Sequence, residues 1–304
     1  MLPYSIRRAL AAVPTLFILL TLAFFLIRLA PGGPFDAERQ LPAAVEANLE
    51  QKYHLDDPLY QQYGDYLWGI ARGDFGPSFQ YQDLTVTQLI RAGFPVSFKL
   101  GASAMLLALI MGIALGALAA VRQNHAIDYG VMTIAMLGIS IPNFVLAPLL
   151  ILVLAVHLNW LPAGGLESWR HYILPVVTLA AAQVAYIARL TRGAIIEVLH
   201  SPFIRTARAK GLPTYIILPR HALPAALPPI ISYLGPATAS TITGSIVIET
   251  IFGLPGLGHH FVYGALNRDY TLVLGVVLLY GMLVIVLNFL ADLLYAWLDP
   301  RIKY

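Results

Sequence analysis

Few side chains in this sequence could do chemistry, and the most isolated of them lie in strongly apolar segments. Glu249 and Asp292 are carboxylates in such segments, and Gln183, Asn143 and Asn288 are polar residues in similar surroundings. An ionisable group inside a membrane span is costly and is therefore a functional candidate. Two interpretations stay open for Glu249: contact with a pathway through the membrane, or a helix-end carboxylate paired with a neighbouring backbone group or an arginine. Gln183 and Asn143 are further candidates for such a pathway.

Catalytic and metal-binding patterns give no candidate site. The chain has no cysteine, and it contains no Gly-x-x-x-x-Gly-Lys-[Ser/Thr], His-Glu-x-x-His or Gly-x-Ser-x-Gly motif. His259 and His260 are adjacent, so on a helix their rings would point apart and would not share a metal. The sequence therefore predicts no catalytic residue, no metal and no cofactor in this chain.

The segment 189–229 carries the clearest signals in the chain for the start and the end of a helix. Ser201 can cap a helix that begins at Pro202, and Lys210 suits its last turn. Gly211 can take the left-handed position after the helix, and Pro213 prevents its continuation. These signals predict a helix of about nine residues, too short to cross a bilayer.

This short helix is predicted to have an apolar ridge and a basic face. Phe203 and Ala207 are one turn apart, and the basic residues are Arg205, Arg208 and Lys210. Charge alone fits an anchor that touches anionic lipid. The alternative is a mechanical link between two membrane helices and a cytoplasmic body.

Six apolar stretches predict the elements that position these residues. The sequence is 58% hydrophobic and 12% charged, with a mean hydropathy of +0.72, whereas a soluble domain has about 25% charged residues. About 20 apolar residues cross a bilayer as a helix. The predicted spans are Ala9–Leu29, Val96–Val121, Val131–Val156, Tyr172–Leu190, Ile230–Ile248 and Leu272–Leu298. We therefore expect an all-α, polytopic integral membrane protein with one transmembrane domain, 1–304.

Lysine and arginine predict the orientation. Most of them fall on the side of the N-terminus and of segment 189–229, which the positive-inside rule assigns to the cytoplasm. Six spans then place both termini in the cytoplasm, and the first span is expected to be an uncleaved anchor.

The long segment 31–95 is then periplasmic and is predicted to contain amphipathic helices. Asp57 is an N-cap signal with Pro58 as the first helical residue, and one face would carry Tyr60, Tyr63, Leu67 and Ile70. This helix could seal the bundle at the outer leaflet, offer a platform to an external partner, or do both.

The spacing in segment 189–229 resembles the cytoplasmic signature of ABC-importer permeases. That signature has Glu-Ala-Ala, three residues, Gly, nine residues and Ile-x-Leu-Pro. Gly211, Leu223 and Pro224 match it, whereas Arg205-Thr206-Ala207 replaces the acidic triplet and His221 replaces Ile. Residues 205–212, Arg-Thr-Ala-Arg-Ala-Lys-Gly-Leu, are similar to the variant of the peptide and nickel importers.

Further stretches are similar to the same branch, in particular to the B-type permease subunits of oligopeptide importers, and the likeness covers essentially the whole chain. They are Arg28-Leu29-Ala30-Pro31-Gly32, Gly73-Asp74-Phe75-Gly76 with Ser78, residues 248–258, and Ala265-Leu266-Asn267-Arg268-Asp269-Tyr270.

The resemblance implies a type I ABC-importer permease fold and an import function coupled to ATP hydrolysis by partner subunits. The implied partners are a second homologous permease, two ABC ATPase subunits that carry ATP and Mg²⁺, a periplasmic peptide-binding protein and the lipid bilayer of a bacterial inner membrane; no nucleic acid is expected. The implied ATPase-coupling residues are Phe203, Ile204, Arg205, Thr206, Ala207, Arg208, Ala209, Lys210, Gly211, Leu223 and Pro224.

Alternatives remain at this stage. The cargo could be oligopeptides, dipeptides or nickel. An ion-gradient-driven secondary transporter would need inverted repeats and a midplane charge relay, and neither is evident. A membrane scaffold would not account for the spacing from Gly211 to Pro224.

Overall fold

The computed structural model describes residues 2–29, 56–81 and 83–298. These residues form helices joined by turns, with one isolated bridge between Pro77 and Thr85. The all-α class is therefore confirmed. Part of the predicted outer loop, 31–55, lies outside the described residues.

The helices follow the chain in this order. They are α1 Leu2–Leu29, α2 Leu59–Ala71, α3 Val86–Val121, α4 Ala126–Ser140, α5 Asn143–Leu150, α6 Ile173–Leu199, α7 Pro202–Ala209, α8 Thr214–Ile217, α9 Leu223–Thr243, α10 Ser245–Ile251, α11 Leu257–Leu266 and α12 Tyr270–Leu298. Wider π-helical turns extend α5 through Ile151–His157 and join α8 to α9 through Leu218–Ala222.

Each predicted span coincides with one helix or with consecutive helices. Among the described residues, four helical segments are long and apolar enough to cross a membrane. A fifth follows if the bent pair Ala126–Ser140 and Asn143–His157 counts as one span. The four are Leu10–Leu29, Val86–Val121, Trp169–Leu199 and Tyr270–Leu294. A multi-pass fold with roughly the expected number of spans results.

The third span is interrupted at Pro142, one of the prolines at which the sequence predicts kinks and helix starts. Its two halves, α4 and α5, meet at an angle of 105°. Pro142 lacks an amide hydrogen and disfavours helical geometry at the residue before it. Ile141 accordingly has the extended angles φ −87° and ψ 114°, and the helix restarts at Asn143.

The predicted outer-loop helix forms, with a boundary shifted by one residue. It begins at Leu59 with Pro58 at the N-cap position, and no side chain caps it. Asp57 is therefore not the N-cap. Its side chain instead lies 3.5 Å from the Gln61 amide, a weak contact at the surface.

Contacts within the chain group into two compact units. The first consists chiefly of Phe98–Leu254 with the chain from Val284, and α6 forms its core through buried residues such as Leu179, Ile187 and Ile195. A side chain at Gly112 of α3 would approach Ile187 to 2.7 Å. Glycine there thus permits close packing of α3 on α6. The assignment of 1–304 to one domain stays a prediction.

The second unit comprises Ala9–Ser97 and Pro255–Leu283. Phe24 of α1, only 2% exposed, contacts the rings of Tyr63 and Tyr66 of α2. The Thr21 hydroxyl lies 2.6 Å from the Tyr63 hydroxyl. The amphipathic helix α2 is therefore bound to the end of α1 by aromatic packing and a hydrogen bond.

Candidate functional site

The short helix of segment 189–229 begins where the sequence predicted. Ser201 has extended backbone angles and Pro202 is the first helical residue. The expected side-chain cap is absent, however, because Ser201 Oγ is buried without a hydrogen-bond partner. Pro202 presets the helical φ at the first position, and helix α7 begins there without a side-chain cap.

The end of α7 is a Schellman motif. The amide of Leu212 donates to the carbonyl of Ala207 at 3.2 Å, and the amide of Gly211 donates to that of Arg208 at 2.9 Å. Gly211 has φ +79°, the left-handed conformation that the sequence predicted. Lys210 is the C-cap residue, one position beyond the expected last turn.

One face of α7 is buried against the segment that follows it. Ile204 is 0% exposed and Ala207 is 8% exposed, and both pack with Ile217 and Ala222. Leu212 contacts the same cluster, which is the apolar contact that accompanies a Schellman motif. The helix is thus fixed to the chain that returns to α9.

The opposite face of α7 is open. Phe203 is 49% exposed, so it does not belong to the buried ridge, which is formed by Ile204 and Ala207. This corrects the predicted ridge, because the helix turns Phe203 away from the cluster. The exposed residues of the face are Phe203, Arg205, Thr206, Arg208, Ala209, Lys210 and Gly211. Nearby in sequence, Tyr215 is 77% exposed.

Helix α9 begins at Leu223 and carries the chain away from the short helix α7. Leu223 is half-buried and packs on a cluster around Ala120, Ile195 and Ala226, whereas Pro224 is exposed. Segment 189–229 therefore combines a buried apolar face with an exposed basic and aromatic surface.

An ion pair between Arg192, at the start of this segment, and Asp128 of α4 was missed by the sequence analysis; we call it the Asp128–Arg192 clamp. Asp128, in the first turn of α4, is 1% exposed and accepts two hydrogen bonds from Arg192 of α6, at 2.5 and 2.7 Å. The amide of Asn124 donates to the same carboxylate at 2.9 Å. From the sequence, Arg192 is only one of the basic residues that predict the cytoplasmic side. An aspartate in the first turn of an apolar helix was the available sequence signal.

Gln183, a pathway candidate, belongs to a polar and aromatic group. Its Oε1 accepts a hydrogen bond from the Tyr233 hydroxyl of α9 at 2.7 Å. The ring of Tyr233 lies 6.0 Å from that of Tyr186, and the guanidinium of Arg189 lies 5.4 Å from the Tyr186 ring. Gln183 is half-buried, and Tyr186 is 37% exposed.

The other two pathway candidates have different surroundings. Glu249 of α10 is 0% exposed and accepts a hydrogen bond from Ser245 at 2.5 Å. Asn143 is half-buried at the first residue of α5. Glu249 therefore has a partner within its own helix, a serine hydroxyl, whereas Asn143 lies at the break of the bent span.

The adjacent histidines lie on α11 with ring centroids 6.0 Å apart. Burial, with a contribution from His259, lowers the pKa of His260 below its usual range. Across 2–29, 56–81 and 83–298, no group of three His, Cys, Asp or Glu residues could hold a metal ion.

Comparison with known proteins decides the family. Residues 112–304 match the family described as "Binding-protein-dependent transport system inner membrane component". This chain belongs to that family. It is therefore a multi-pass inner-membrane permease and a non-catalytic component of an ABC importer, which works with an ATPase and a substrate-binding protein.

Relatives of the permease match it from end to end. It is 58% identical over 306 residues to the oligopeptide transport system permease protein OppB of Salmonella typhimurium, covering all of both chains. It is 48% identical over 300 residues to the dipeptide transport system permease protein DppB of Bacillus subtilis, covering 99% of this chain and 97% of the relative.

A solved structure supports the fold. The MetNI methionine ABC transporter in an inward-facing conformation contains a chain with a TM-score of 0.60 and 22% identity. The match covers 70% of this chain and 97% of that one. The expected ABC-importer permease fold is thereby confirmed.

Proposed function

We propose that this permease imports oligopeptides. The observation that carries the proposal is the 58% identity to an oligopeptide permease over the whole of both chains. Identity to the dipeptide permease is lower, at 48%. Peptides vary in side chain but share a backbone, so a weakly selective pathway with few fixed charges suits this cargo.

The coupling role is assigned to helix α7 and the start of α9. A coupling surface needs exposed side chains that bind the ATPase. The helix that carries them must be firmly packed on the rest of the permease. Interface energy is concentrated in aromatic and arginine residues, and α7 exposes Phe203, Arg205 and Arg208. Its buried residues, Ile204 and Ala207, tie it to α8. ATP and Mg²⁺ would be bound by the ATPase subunits, and this chain would need no cofactor of its own.

The proposed assembly contains a second homologous permease, two ATPase subunits and a periplasmic peptide-binding protein. Both termini of this chain and segment 189–229 would face the cytoplasm. Helix α2 would lie at the periplasmic side. The positive-inside distribution of lysine and arginine supports this orientation.

The proposed cargo pathway includes Gln183 and Asn143. Gln183 and Tyr233 present an amide and a hydroxyl that could hydrogen-bond a peptide backbone. Glu249, buried against Ser245, would contribute by holding the end of α10.

Uptake by the complete importer in proteoliposomes tests the function. Labelled peptides of two to five residues are supplied with the binding protein outside and ATP inside. The proposal expects ATP-dependent uptake that is greater for peptides longer than two residues. Preferential uptake of dipeptides would favour the dipeptide alternative, and uptake without ATP would contradict an ABC mechanism.

A further inference from the structure

A cavity of about 230 Å³ lies in the second unit and is not used by the coupling or pathway residues. It is bounded by the end of α1, by α2, by residues 74–79 and by the start of α12. Drug-sized ligands occupy pockets of about 300–1,000 Å³. A smaller polar group, such as an amino acid or a lipid headgroup, fits the volume better.

Two buried polar groups in this cavity lack hydrogen-bond partners. They are Nε of Arg28 and the hydroxyl of Tyr66. The guanidinium of Arg28 lies 5.6 Å from the Phe24 ring, and it forms no ion pair with any residue that the structure describes. Burial raises the pKa of Tyr66, so its hydroxyl keeps its proton and can donate. An unpaired cation beside a phenol donor is suited to an anion.

Carboxylates lie around the same cavity. Asp65 and Asp74 line it and are exposed to solvent, and Asp74 accepts a hydrogen bond from the Gly76 amide at 2.9 Å. A ligand that places an anion at Arg28 and an ammonium near these carboxylates would satisfy both charges. The cavity is therefore complementary to a small zwitterion.

The position of the cavity indicates where such a zwitterion comes from. Arg28 is one residue from the end of the span Leu10–Leu29, and Tyr270 opens the span Tyr270–Leu294. Span ends lie at the level of lipid headgroups. The surface of α1 is rich in exposed apolar side chains that suit acyl chains, including Leu22, Leu26 and Leu29.

We propose that this cavity binds the headgroup of a phospholipid, with the phosphodiester at Arg28 and Tyr66 and an ethanolamine ammonium near Asp65 and Asp74. This step rests on the proposed function: with segment 189–229 in the cytoplasm, the lipid would belong to the periplasmic leaflet. Binding itself does not depend on that orientation or on the cargo.

The motif stretches of the sequence converge on this unit. Ser78 donates a hydrogen bond to Asp269, and Thr271 donates one to the carbonyl of Pro77. These contacts hold the Gly73-Asp74-Phe75-Gly76 stretch against the start of α12. The motifs therefore shape one wall of the cavity, for which the coupling function gives no reason.

Lipid binding is measured by native mass spectrometry on the purified full-length permease after delipidation. The probes are phosphatidylethanolamine, phosphatidylglycerol and inorganic phosphate. A hydrogen bond to a charged group contributes about 1.5–3 kcal/mol, so Arg28→Gln should weaken phosphatidylethanolamine binding at least about tenfold. Tyr66→Phe should weaken it less, and Arg28→Lys should retain most of it.

Arg72→Gln is the matched control. Arg72 belongs to the same unit, but its guanidinium lies over the Trp68 ring at 4.4 Å and does not line the cavity. This variant should bind lipid as the unmodified permease does.

Three results would overturn the proposal. They are equal lipid affinity in the unmodified permease and in the Arg28→Gln and Tyr66→Phe variants, displacement of the lipid by inorganic phosphate at matched concentration, and displacement by a tripeptide. The last two would assign the cavity to a free anion or to cargo. Tighter binding of phosphatidylglycerol than phosphatidylethanolamine would refute the ammonium site at Asp65 and Asp74.

Discussion

At the scale of single residues, Gly211 is suited to its position by its backbone conformation, and not because a side chain there would collide with a neighbour. Its φ is +79°, yet a Cβ built there meets no atom within 4 Å. Substitution therefore affects only the preference for the left-handed region. Substitutions of Gly211 should therefore differ in their effect according to how well the new residue tolerates the left-handed conformation.

Gly211→Ala should destabilise the segment by about 1–2 kcal/mol, because non-glycine residues disfavour the left-handed conformation. Gly211→Asn should cost less, since asparagine tolerates that conformation. Thermal unfolding and ATP-driven uptake of the two variants measure this order. A greater loss in Gly211→Asn than in Gly211→Ala would show that side-chain size, rather than backbone conformation, matters at this position.

The Asp128–Arg192 pair gives a second residue-scale prediction. Its bonds are bidentate and Asp128 is 1% exposed, so Asp128→Asn should destabilise the first unit by about 2 kcal/mol. Arg192→Gln should do the same, and the double variant should lose less than the sum. Chemical unfolding of all four proteins checks the coupling. Full additivity would mean that the pair contributes nothing as a pair.

His260 gives a prediction about pH. Burial lowers its pKa in the folded protein, so the unfolded chain binds a proton first as the pH falls below about 6.5. Stability contributed by the neutral ring is complete above that pH and declines below it, since the unfolded state then holds more protons. Melting temperatures from pH 8 to pH 5 should fall less steeply in His260→Gln. Parallel curves for the two proteins would contradict this assignment.

At the scale of elements, helix α7 separates stability from docking on two faces. Ile204 is 0% exposed and Phe203 is 49% exposed, although the two are adjacent in sequence. A change at one should affect the fold and a change at the other should affect the partner.

Ile204→Ala should lower the stability of the permease by about 2–4 kcal/mol, because it leaves a cavity in the cluster with Ile217. Phe203→Ala should leave the melting temperature nearly unchanged and weaken ATPase binding. Thermal unfolding and co-purification of the ATPase distinguish the two effects. Loss of stability in Phe203→Ala without loss of binding would reverse the roles.

The sequence predicted the elements better than it predicted their breaks and contacts. Apolar length predicts spans, and Ser201, Pro202 and Gly211 mark the ends of α7 correctly because such signals are local, although Ser201 makes no capping hydrogen bond. A kink or helix start at Pro142 was predicted from the proline itself, whereas the apolar run on both sides concealed how sharp the bend of 105° is. The Asp128–Arg192 clamp and the outward turn of Phe203 depend on tertiary packing, which periodicity over eight residues does not determine.

At the scale of the whole molecule, the proposed orientation places α2 and α7 on opposite sides of the membrane. The chain has no native cysteine, so single cysteines report position without background. Tyr60 and Lys210 are both exposed and make suitable sites.

Tyr60→Cys should react with a membrane-impermeant maleimide in spheroplasts, whereas Lys210→Cys should react only after the membrane is permeabilised. The expected difference follows from the distribution of lysine and arginine. The reverse pattern would invert the topology and would remove segment 189–229 from the side of the ATPase.

The central claim is that α7 links this permease to its ATPase, and site-specific cross-linking tests it most directly. Arg208→Cys and, as a control, Trp169→Cys are both at exposed positions in the cysteine-free chain. A short bifunctional maleimide added to the assembled importer should join Arg208→Cys, and not Trp169→Cys, to the ATPase, with a yield that changes when ATP is bound. An importer that transports peptide normally while Arg208→Cys forms no cross-link in any nucleotide state would contradict the account.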